Sequence, residues 1–128
     1  MPAAVGTATI VEETYGSVKF IAWSWTGGTA ETTITGTTTE SFYSGDCRFL
    51  VTIPGLSTEV PADNYALTIL DKNDVDVLAN AGIARDATST ETVLAGSLGC
   101  VANSQLELVV TASGSSGVAK GVVYLWIR

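Results

Sequence analysis

Gly121-Val122-Val123-Tyr124-Leu125-Trp126-Ile127-Arg128 is the stretch that decides the fold. Side chains alternate across a strand, so Val123, Leu125 and Ile127 point one way while Val122, Tyr124 and Trp126 point the other. Both sets are apolar. A strand with one wet face would carry polar residues on it. The pattern predicts a strand covered twice, once by the chain's own core and once by something else.

Working outward, residues 18–25 repeat the two-sided pattern. Val18, Phe20 and Ala22 share one face, and Ile21, Trp23 and Trp25 the other. Residues 7–14 alternate as well, and the short Tyr15-Gly16-Ser17 turn makes a hairpin of the two runs. The Thr-rich segment 29–39 lacks an apolar face and reads as a loop or weak edge strand. Ser44-Gly45-Asp46 is turn chemistry before a strand over 47–53, which Pro54-Gly55 ends. Residues 64–70 and 75–78 read as strands around a polar turn at 71–74. Segment 86–98 carries a capping-box pair, Thr88 and Glu91, yet reads better as extended. Leu106, Leu108 and Val110 point inward from a strand over 105–112, and residues 113–117 loop back to the last strand. Seven to nine short strands at roughly 10-residue spacing predict one all-β domain over 1–128, an antiparallel β-sandwich of jelly-roll or Ig-like type.

Composition limits the partners. The net charge is −7 with six basic residues scattered along the chain, which disfavours nucleic acid and anionic membranes. No run approaches the 18 or so apolar residues of a membrane span. Residues 1–6 lack the charged and apolar regions of a signal peptide, so the expected site of synthesis is the cytosol, with Cys47 and Cys100 as buried free thiols. Charged residues are only 15%, a composition suited to burial against neighbours.

Catalytic chemistry is hard to assemble. There is no histidine, which removes the commonest acid–base group and the base of Ser-His and Cys-His systems. No pair of the 13 acidic residues stands out as a glycosidase pair. Asp71, Asn73, Asp74 and Asp76 resemble the start of a calcium loop, but Val75 occupies the glycine position and Gly82 the closing-glutamate position. Two cysteines without histidine do not make a structural zinc site. The expectation is a non-enzymatic protein with no metal or cofactor. What remains is aromatic. Trp23, Trp25, Tyr124 and Trp126 are the candidate interface residues, read either as core, as an intersubunit patch, or as a sugar-binding platform.

Several segments together carry a resemblance: the strands from Gly6 to Trp25, Pro61-Ala62-Asp63-Asn64-Tyr65 leading into Leu67-Thr68-Ile69-Leu70-Asp71, the Val75-Asp76-Val77-Leu78 return, and the 121–128 ending. The chain resembles small virion structural proteins of tailed bacteriophages, of the head decoration or cement type. That resemblance implies a subunit assembled in the host cytoplasm onto the capsid exterior, with the major capsid protein as partner and a homo-oligomeric state, trimer or dimer. A carbohydrate- or host-surface-binding module of a tail or head fibre is the alternative expectation.

Overall fold

The computed structural model describes residues 7–27, 34–56, 61, 65–111 and 119–128. The expectations for residues 1–6, for 29–33 and for the 113–117 loop lie outside the described residues.

Nine strands are described: β1 Thr7–Tyr15, β2 Val18–Thr26, β3 Ile34–Thr38, β4 Tyr43–Pro54, β5 Ala66–Leu70, β6 Glu91–Leu94, β7 Cys100–Ser104, β8 Glu107–Thr111 and β9 Lys120–Ile127. They form two antiparallel layers. One is a six-stranded sheet in the order β1-β2-β9-β4-β6, with β7 on the early part of β4; the other is β3-β8-β5. The chain is an antiparallel β-sandwich.

The β1–β2 hairpin closes at Gly16, whose φ of 62° belongs to the left-handed region that glycine enters without penalty. The predicted final strand becomes β9, hydrogen-bonded between β2 and β4. Its Gly121, Val123, Leu125 and Ile127 are buried against the other layer. Ile21, Trp23 and Trp25 of β2 lie beside them, and Leu67, Ile69, Leu106, Leu108 and Val110 close the core from across the sandwich. The Trp25 ring also meets Tyr65 at the entry to β5, with centroids 5.7 Å apart and planes 52° apart. An aromatic pair therefore ties the layers together. Trp25 has room because it is paired with Gly121. A Cβ at that glycine would stand 2.5 Å from the indole ring.

Two segments differ from their sequence reading, and a third, read as extended, is a strand over part of its length. Ser44–Asp46 is not a turn but part of β4. Gly45 takes a φ of 136°, and Asp46 exchanges two 3.0 Å backbone hydrogen bonds with Arg128, so the ladder continues through the bend. A bulge against β9 between Cys47 and Phe49 then inserts Arg48. This shifts the phase, with Cys47 buried before it and Leu50 after it, while Phe49 turns outward.

Residues 75–78 make only an isolated bridge, Asp76 to Leu70. The Asp76 carboxylate accepts the amides of Ile69, Leu78 and Asn80, so side-chain bonding joins the few backbone bonds, such as that from the Val77 amide to the Ile69 carbonyl, in place of a regular ladder. Segment 86–98 divides into β6 and a short 3-10 turn, Ala95–Ser97. The capping-box pair binds Asp86 without starting an α-helix: the Thr88 hydroxyl donates to the Asp86 carboxylate, which also accepts the Thr88 and Ser89 amides, and Glu91 accepts the Asp86 amide.

Gly121→Ala should lower unfolding stability by about 1–3 kcal/mol, the usual effect of overpacking. Gly96→Ala, whose added Cβ would meet nothing within 4 Å, should stay within about 0.5 kcal/mol of the parent. Urea denaturation of the two variants checks the pairing of Trp25 with Gly121.

Candidate functional site

The four aromatic residues singled out from sequence separate onto opposite faces of one sheet. Trp23 and Trp25 are 0% and 1% exposed, on the inner face. Tyr124 and Trp126 are half-buried and stand on the outer face. The first two serve the core; the second two remain available to a partner.

Strand register builds a site around them. Phe20, Trp126, Phe49 and Leu94 lie in one row across β2, β9, β4 and β6. Ala22, Tyr124 and Val51 form the next row, and Ser24, Val122 and Ile53 the one after. Phe20 approaches Trp126 at 5.0 Å and Tyr124 at 5.3 Å between centroids, and Phe49 approaches Trp126 at 5.5 Å. Interplanar angles run from 47° to the 81° of Tyr124 on Trp126. The rings thus pack as a cluster, tilted against one another with Tyr124 edge-on to Trp126, at centroid distances typical of aromatic pairs. At the margins Val11 is 51% exposed, Tyr15 60% and Leu94 69%. The result is an apolar patch over the middle of the sheet, bordered on the same face by Thr9 and Glu13 of β1, Ser24 of β2, Thr92 of β6 and Lys120 of β9.

Sequence reasoning missed two members. Phe20 follows from pairing β2 with β9 in register, a signal present in the two apolar faces. Phe49 depends on the β4 bulge, and the local sequence carries no mark of the phase shift.

Other surface features are occupied by structural chemistry. A cleft of about 470 Å³ is lined by Ala8, Ile10, Glu12, Thr38 and Glu40. Its Glu12 carboxylate accepts the Glu40 amide at 2.9 Å, the Ser41 amide at 3.1 Å and the Tyr43 hydroxyl at 2.6 Å. Burial acts to raise the Glu12 carboxyl pKa, but these donors hold it below its ordinary value. An ionised acceptor so engaged is a clasp between β1 and the β3–β4 connection, poorly suited to donate a proton. Asp71 accepts the amides of Asn73 and Val75, so with Asp76 the polar turn binds its own backbone. Among the described residues no three acids, cysteines or histidines cluster as metal ligands.

A second cleft, about 430 Å³, holds both cysteines with Asp46, Arg48 and Leu98. Both thiols are free, but only Cys47 is buried. Cys100 is exposed, contrary to the sequence reading, because it pairs with the exposed Asp46. Burial, with Cys100 and Asp46 nearby, pushes the Cys47 thiol up to about 12. Among the described residues no helix is long and apolar enough to cross a membrane.

No family model matches the chain, and no curated protein matches it. Among solved structures it is similar to a low-affinity xylan-binding module of the gut symbiont Roseburia intestinalis. The identity is 10% and the TM-score 0.41, over 98% of this chain and 88% of that one. A likeness that remote has no bearing on what this chain binds.

Two outcomes follow from these groups. The Glu12 carboxyl has a depressed folded-state pKa, so the clasp contributes fully above the unfolded value of about 4.3 and is lost as pH falls through the folded value. Glu12→Gln should cost about 1 kcal/mol at neutral pH after solvent screening, and should reduce the loss of stability on acidification. Denaturation midpoints across the acid range check both. Thiol labelling of the folded chain at neutral pH should modify Cys100 alone, with Cys47 reacting only after unfolding, because the protonated buried thiol is a poor nucleophile.

Proposed function

We propose that this chain is a non-enzymatic assembly subunit that works through the outer face of its six-stranded sheet, as a virion structural protein of the head decoration type. The observation that supports the reading is the Phe20–Trp126–Phe49 row, bordered by Ala22, Val51, Val122, Ile53 and Leu94. A contiguous apolar face of this kind marks a protein contact, and half-buried Trp and Tyr at its centre are the residue types that dominate interface energetics. In this role the face covers a joint between neighbouring subunits on the capsid exterior, and burial of its rings opposes their separation. The resemblance in the strand and turn segments supplies the phage setting, the major capsid protein as partner and assembly in the host cytoplasm.

A sugar platform is the second reading, favoured by the ring surface that Tyr124 and Trp126 leave accessible beside Ser24 on the same face. The mutual tilt of the rings and the aliphatic border weigh against it, because a sugar also needs polar groups around a flat stacking surface.

Mass spectrometry of purified particles should find the chain. Trp126→Ser should remain folded but weaken its incorporation about thirty-fold, the effect of losing a residue worth about 2 kcal/mol. Absence of the parent chain from particles, with Trp126 fluorescence quenched by a glycan, would replace this reading with the second one.

A further inference from the structure

We propose that the chain binds an internal water molecule at one end of the sandwich, held between the Trp25 indole, the Thr52 hydroxyl and the Tyr65 hydroxyl. Trp25 Nε1, Thr52 Oγ1 and Tyr65 Oη are buried and have no hydrogen-bond partner among the described residues. The three residues are 1%, 1% and 0% exposed. Burying a polar group unpaired is costly, so three on adjoining side chains call for a shared partner. The register makes them neighbours. Thr52 pairs with Val123, while Gly121 pairs with Pro54 on one side and Trp25 on the other. A Cβ at Gly121 would stand 2.6 Å from Trp25 Nε1, so the indole N–H lies over that glycine, beside β4. The Tyr65 ring packs on the same indole. Burial pushes the Tyr65 hydroxyl up to about 12, and the Thr52 hydroxyl and Arg85 guanidinium beside it oppose that rise. The phenol is therefore protonated at neutral pH and able to donate.

The surroundings suit water. Thr52 pairs with Glu91 across β4 and β6, Tyr65 bridges to Arg85, and the Arg85 and Glu91 side chains approach at 3.7 Å. Polar cavities take up water, whereas apolar ones stay dry. A cleft of about 250 Å³, lined in part by Trp25, Pro54, Gly55 and Gly121, opens at the same corner and offers a route in. Donors and acceptors also balance. The indole can only donate, and each hydroxyl can donate or accept. One water accepts from Trp25 and from one hydroxyl and donates to the other, which makes the three bonds usual for internal water. A direct bond between the two hydroxyls would leave the indole N–H alone. The site lies on the inner face of the sheet and is independent of whatever covers the outer one.

Water–protein NOE spectroscopy of the full chain, with urea denaturation of two variants, tests this. The indole N–H of Trp25 should show a cross-peak to a long-lived water in the folded parent. Thr52→Val and Tyr65→Phe keep the shape of their side chains, and each should weaken that cross-peak and lower the urea midpoint. The double variant should lose less than the sum of the two, because both act on the same water. A dry site gives the opposite sign, since removing an unpaired buried hydroxyl relieves a penalty. A midpoint unchanged or raised in either variant therefore overturns the proposal. So does a folded parent without a water cross-peak at Trp25, even where both midpoints fall, because the two hydroxyls would then be bonded directly to each other.

Discussion

Strand β9 is hydrogen-bonded along both edges and apolar on both faces, and the rest of the molecule is arranged around that constraint. Its two edges require β2 and β4 as neighbours, which makes it an interior strand of the six-stranded sheet. Its inner face requires a second layer, supplied by β3, β8 and β5. Gly121 lets the Trp25 ring lie across the strand, and that ring in turn reaches Tyr65. The outer face is served by no layer of this chain among the described residues. Apolar area left in water forgoes about 25 cal/mol for each Å², so an outer face this apolar makes sense as a surface that is covered in use.

The two faces of the sheet divide the aromatic residues by task. Trp23 and Trp25 hold the layers together and have no remaining surface to offer. Phe20, Phe49, Tyr124 and Trp126 pack against one another yet keep part of their rings accessible. The cluster is therefore ordered before any partner arrives. Less side-chain entropy is then lost on docking, which favours association by the same contacts.

Much of this was legible in the sequence, because a strand's period of two exposes its faces directly. The apolar runs of β2 and β9 and the alternation of Leu106, Leu108 and Val110 predict the core residues and the sandwich. The same pattern could not say which face of β2 and β9 joins the core, since both are apolar, and Trp23 and Trp25 stood level with Trp126 for that reason. Three structural details were hidden for other reasons. The β4 bulge at Arg48 is a matter of register against β9. Asp76 binds three amides with its side chain, so the predicted strand at 75–78 is reduced to a bridge and a few backbone bonds. β7 buries only Val101 and Ser104, too few to give an alternating pattern.

The central claim is that protein covers the outer face when the chain is at work. Hydroxyl-radical footprinting of Phe20, Tyr124 and Trp126 tests it most directly, comparing the dilute free chain with the chain in its assembled particle. The account predicts strong protection of all three rings on assembly, with the already buried Trp23 and Trp25 unchanged. Equal oxidation of the three rings in both states would contradict it.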